Sequence, residues 1–186
     1  MRIFVGITLD EATRESIAKE LLPFKKIASS IRWTASRNIH LTLKFIGEAS
    51  AAKAASIEAA LQMAKIPAAP FKLKISGFGK FPAGDDLHIF WAGVEDNPAL
   101  QELFAGIENA LAPLAIARET RPFSPHITLG RNKARYNFET LFELLAARRD
   151  IFLAEFPVTS FQLFCSQLTP DGPLYKILKE IPLGQS

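Results

Sequence analysis

Residues 38–47 read NIHLTLKFIG and residues 124–131 read SPHITLGR, with His40 and His126 standing 86 positions apart. A strand turns successive side chains to opposite faces. In the first segment that period places His40, Thr42 and Lys44 on one face and Leu41, Leu43 and Phe45 on the other. In the second it joins His126 to Thr128 and sets Ile127 and Leu129 opposite. Each segment therefore predicts a strand with one polar face bearing an imidazole and a hydroxyl, and one apolar face for a core. Each leads towards a helical stretch, a faint internal repeat that points to two related lobes.

Outward from these segments, Arg2 to Leu9 reads as a strand, and Thr8 with Glu11 resembles a capping box opening a helix to about Ile27. Ile17, Leu21, Phe24 and Ile27 recur at helical spacing. After the strand-like IRWT (31–34) and the first motif, an alanine-rich helix is predicted from about Ala49 to Lys65, ahead of Pro67. FKLKISGFGKF (71–81) and LHIFWAGV (87–94) flank turn residues 82–86 as a hairpin. Asn97 or Asp96 caps a helix to about Leu111, and a short helix covers about Glu139 to Arg149. PVTSFQLFCSQL (157–168), a Thr-Pro-Asp-Gly turn and PLYKILKEIPL (173–183) close the chain as a second hairpin. Helices and strands mix without regular βαβ spacing, which is the α+β class. No linker interrupts them, so residues 1–186 read as one bilobal domain.

The 186 residues are 48% hydrophobic and 22% charged, the balance of a folded globular chain. No stretch approaches the roughly 20 apolar residues of a membrane span, and MRIFVGITLDE lacks a signal-peptide core, so a cytoplasmic protein with no membrane partner is expected. A monomer is expected as well. The single cysteine, Cys165, excludes an internal disulfide and a cysteine-built zinc site. A net charge of +3 permits an anionic partner without requiring one.

A histidine titrates near neutrality, so of two in one cleft one can accept a proton while the other donates one. That pairing suits phosphodiester hydrolysis. Threonine hydroxyls can hold non-bridging oxygens, and a guanidinium can grip them as a fork. Arg131 is the nearest candidate, although strict alternation puts it opposite His126 unless the strand twists or ends at Gly130.

The paired His-x-Thr-x tetrapeptides, with MRIFVGITL, NIHLTLKFIGE, SPHITLGR and LTPDGPLYKIL around them, resemble the 2H phosphoesterases over essentially the whole chain. The branch they are most similar to is the bacterial and archaeal RNA 2',3'-cyclic phosphodiesterases, also called 2'-5' RNA ligases. The resemblance implies a two-lobed α+β fold with pseudo-twofold symmetry and antiparallel sheets lining a central cleft, helices outside. It implies no metal and no cofactor, RNA ends or nucleotides carrying a 2',3'-cyclic phosphate as partners, and opening to a 2'-phosphomonoester, with reversible 2'-5' RNA ligation beside it. It assigns His40 as proton donor, His126 as proton acceptor, and Thr42, Thr128 and Arg131 as phosphate-binding residues.

Other readings stand beside this one. A relative could act on ADP-ribose 1'',2''-cyclic phosphate or a 2'-5' oligonucleotide, and a non-catalytic RNA-binding module would grip phosphate without turnover. A two-histidine metal site would need a third ligand, and nothing has ligand spacing. His88, alone beside a turn, reads as structural or as a surface residue. Arg32, Arg37, Lys44, Arg118, Arg121, Lys133 and Arg135 gather in sequence around the motifs as an RNA funnel would. Trp33, Phe4, Phe45 and Phe123 lie near enough to stack on a base, though packing is the expected fate of most.

Overall fold

The computed structural model describes all residues except 65, 67, 68, 83–88, 133–138, 170, 171, 185 and 186. His88, Lys133, Arg135 and most of the 82–86 turn lie outside the described residues. In chain order the elements are β1 (Arg2–Thr8), α1 (Glu11–Ile27), β2 (Arg32–Trp33), β3 (His40–Glu48), α2 (Ala51–Met63), β4 (Phe71–Phe81), β5 (Ile89–Val94), α3 (Pro98–Leu111), β6 (His126–Arg131), α4 (Glu139–Ala147), β7 (Phe152–Val158), β8 (Ser160–Thr169) and β9 (Gly172–Pro182). A short 3-10 turn, Ser36–Asn38, precedes β3. No described helix is long and apolar enough to cross a membrane.

The strands form one nine-stranded antiparallel sheet in the order β7-β4-β5-β6-β3-β1-β8-β9, with β2 beside β6. The order is symmetric about the β3–β6 seam. Each motif strand has three further strands outside it, and the seam pair is Leu41 against Ile127, residues that are themselves 86 apart. A twofold pseudo-axis therefore passes between them, as the two lobes expected from the repeat require.

The helices cross between the halves. Helix α1 leaves β1 but packs on β7 and α4, burying Phe24 edge-on against Phe78 and Phe90 with centroids 4.9 and 5.0 Å away. Helix α3 leaves β5 but packs on β3 and α2. Each lobe thus covers the core of the other.

Several expectations need correction. Asp10, rather than Thr8, caps α1 by accepting from the Thr13 amide at 2.7 Å. The chain between α4 and Ser160 holds an unexpected strand, β7, in which exposed Glu155 and Pro157 alternate with buried Ala154, Phe156 and Val158, and only the adjacent buried Leu153 breaks the pattern. Lys44 leaves the polar face altogether. In the β1–β3 ladder Gly6 faces Thr42 and Val5 faces Lys44, so Leu43 is an inserted bulge residue. A bulge reverses the side-chain phase beyond it, so Lys44 turns into the core and Phe45 turns out. The β5–β6 ladder repeats this at Leu129, since Trp91 faces Thr128 and Phe90 faces Gly130.

Candidate active site

The twin bulges decide which residues meet. Up to the bulge, His40 and Thr42 share one face with His126 and Thr128; beyond it the same face continues with Phe45 and Arg131. The antiparallel register through Leu41 and Ile127 sets His40 level with Thr128 and His126 level with Thr42. A cleft of about 500 Å³ opens over this face, lined by His40, Thr42, Thr128, Arg131, Phe45 and Tyr175 among others. Arg131 reaches it because the Leu129 bulge supplies the phase change that the sequence required. Gly130 takes the place of Lys44 in the second copy, and a Cβ there would come within 2.6 Å of Ile31 and 3.0 Å of Trp33. His126 is not among the residues that line this volume; level with Thr42, which is, it stands half-buried and edge-on to Phe81 at 5.1 Å.

Both imidazoles are held alike. His40 Nδ1 lies 2.7 Å from the Asn38 carbonyl and His126 Nδ1 lies 2.8 Å from the Ser124 carbonyl, in each case two residues back. A carbonyl only accepts, so each Nδ1 carries its proton and Nε2 is left as the reactive atom. His40 Nε2 lies 3.1 Å from Thr42 Oγ1. The Asn38 side chain also donates to the Pro173 carbonyl at 2.7 Å, tying the β8–β9 hairpin to the His40 anchor.

The surroundings of the two rings differ. Phe4, Phe164 and Tyr175 enclose His40 at centroid distances of 4.8, 5.9 and 5.0 Å. Burial there pushes the His40 pKa below its ordinary value, the Asn38 carbonyl opposes this, and the positive charge of Arg131 lowers it further. Burial raises the Tyr175 phenol, and Arg131 acts on it in the opposite sense. In a titration followed by imidazole NMR, His40 should therefore have its midpoint below 6.5, and Arg131→Gln should move that midpoint upward. A midpoint unmoved by the substitution would show that Arg131 does not reach the ring.

Tyr175 and Asn38 are site residues that sequence reasoning missed; they come from the far hairpin and a loop, and no periodicity links them to the motifs. Of the four aromatics near the motifs, Phe4 packs against His40, Trp33 against Phe90 at 5.2 Å, and Phe123 stacks on Phe104 at 4.1 Å. Phe45 remains 65% exposed on the cleft. Among the described residues no group of three or more His, Cys, Asp or Glu side chains gathers as metal ligands would.

Residues 15–167 match the model of the 2'-5' RNA ligase superfamily. The RNA 2',3'-cyclic phosphodiesterase of Methanocaldococcus jannaschii is 33% identical over 180 residues, covering 97% of this chain and 99% of its own. The crystal structure of TT0787 from Thermus thermophilus gives a TM-score of 0.79 at 28% identity, with 98% of each chain covered. That of E. coli LigT complexed with 3'-AMP gives 0.76 at 26% identity, covering 99% of this chain and 98% of the other. With the seam, the paired tetrapeptides and the whole-length likeness all in agreement, the chain belongs to the 2'-5' RNA ligase superfamily.

Proposed function

We propose that the chain hydrolyses the 2',3'-cyclic phosphate at an RNA or nucleotide end to a 2'-phosphomonoester, working as one bilobal unit over residues 1–186. The observation that carries this reading is the matched pair of imidazoles, each anchored through Nδ1, on one face with two threonine hydroxyls and a guanidinium. His126 Nε2 takes a proton from water, and the hydroxide forms a bond to phosphorus. The bond from phosphorus to the 3' oxygen breaks, and His40 Nε2 delivers a proton to that oxygen. Each transfer contributes roughly 10²- to 10⁴-fold. Thr42, Thr128 and Arg131 hold the non-bridging oxygens. A 5'-hydroxyl in place of the water, giving its proton to His126, forms the bond to phosphorus as the same 3' bond breaks and so joins two ends through a 2'-5' linkage.

A proton donor with a depressed pKa is neutral at rest. An anion bound between His40 and Arg131 reverses this, because an opposite charge a few ångströms away favours the imidazolium. The substrate thereby charges its own acid. In EDTA, kcat should follow a bell-shaped pH curve from one protonated and one neutral imidazole. A single sigmoid, or loss of turnover on chelation, would count against the pair.

Phe45 is the aromatic left free to stack on the terminal base. Base stacking of this kind contributes about 1–3 kcal/mol. Phe45→Ala should raise KM by roughly 5-fold or more with little change in kcat; an unchanged KM would remove Phe45 from the site.

A further inference from the structure

The basic residues around the two motifs separate by their partners. Lys44 is buried against Glu108, Arg118 donates to Asn109 Oδ1 at 2.7 Å, and Arg121 pairs with Glu119 at 3.2 Å. Arg32 and Arg37 are different. Both line the cleft, and neither has an ion pair among the described residues. Arg32 is the direct cross-strand partner of Arg131 in the β2–β6 ladder. Directly opposed residues project to one face, and like charges so placed destabilise a ladder. Two guanidinia side by side without an acid between them are stabilised by an anion that spans or adjoins both. Arg37 lies in the 3-10 turn, one residue before the Asn38 carbonyl that anchors His40. One wall of the cleft, residues 32–38, thus carries positive charge away from the reactive centre on the His40 side, where the nucleoside of the departing 3' oxygen must lie.

We propose that Arg32 and Arg37 form a second anion subsite, which takes the internucleotide phosphate on the 5' side of the cyclic phosphate. The cleft is then built for the end of an oligonucleotide, with Arg131 on the reacting phosphate and the Arg32–Arg37 wall on the next one. This rests on the cyclic-phosphodiesterase reading for the direction of the chain.

The test is equilibrium binding of product-type ligands, which needs no turnover. A nucleoside 2'-phosphate, a dinucleotide ending in the same 2'-phosphate, and that dinucleotide with a neutral methylphosphonate linkage are titrated by calorimetry at low and moderate salt. The charged dinucleotide should bind roughly ten-fold tighter than the mononucleotide, with a steeper salt dependence. Arg32→Gln with Arg37→Gln, or the neutral linkage with wild type, should bring that ratio close to one. A ratio that survives either change would overturn the subsite, because the gain would then come from the second nucleoside. Turnover of the corresponding cyclic phosphates is scored separately. A folded protein that turns over none of them while keeping the charge-dependent ratio would sink the phosphodiesterase reading and leave the subsite standing.

Discussion

His126→Ala should lower kcat on an RNA 2',3'-cyclic phosphate by roughly 10²- to 10⁴-fold and leave the fold intact, since only a half-buried ring edge-on to Phe81 is removed. His40→Ala should lose a similar factor. The double variant should fall little below the worse single one, because acid and base act as a unit and their losses do not add. His40 also packs against Phe4 and Tyr175, so its removal costs some stability; His40→Gln keeps more of that volume and should be as inactive. Steady-state kinetics beside thermal unfolding separates the two effects. A loss under ten-fold in a folded His126→Ala protein would mean that the imidazole is not the proton acceptor.

The second large effect is on stability. Lys44 and Glu108 are both 7% exposed, with Nζ 2.6 Å from Oε1. Lys44 Nζ also donates to the Ala117 carbonyl at 2.6 Å, and Glu108 Oε2 accepts from the Glu119 amide at 3.2 Å. The pair therefore fastens helix α3 to the strand of the first motif and docks the loop that leads to His126. Oε1 makes no hydrogen bond beyond this ion pair. Lys44→Met should cost about 3–5 kcal/mol, because it leaves a buried carboxylate unpaired. For a chain of this size that lowers Tm on the order of 10 °C. Adding Glu108→Leu should restore most of the loss, since an apolar pair replaces a buried ion pair at little cost. Single and double variants of equal Tm would show that the two charges are not coupled.

The same lysine marks where the sequence stops being legible. Periodicity identified both motif strands, the apolar faces of Leu41 and Ile127, and the four polar-face residues before the bulges, and the repeat between the motifs anticipated the symmetric sheet. Period two failed at Leu43 because a bulge adds one residue without any glycine or proline to announce it. The signal was nevertheless present. Arg131 could reach the cleft only if the phase changed beyond Thr128, and the 86-residue offset carries that same change to Phe45 and turns Lys44 inward. Strand β7 escaped because Glu155 is its one polar residue, too little to show a period of two, and Pro157 reads as the start of the next strand, while pairing with β4 supplies what local preference lacks. Tyr175 and Asn38 reach the site through tertiary contacts between segments 135 residues apart, as in the Asn38–Pro173 hydrogen bond, which no local pattern encodes.

The most direct measurement incubates purified protein, in EDTA, with a short RNA ending in a 2',3'-cyclic phosphate and follows the terminal phosphate by phosphorus NMR, beside His40→Gln and His126→Ala. Wild type alone should convert the signal to that of a 2'-phosphomonoester. A 3'-phosphate product would contradict the assigned direction of proton transfer, and no conversion by a folded wild-type protein would contradict the phosphodiesterase itself.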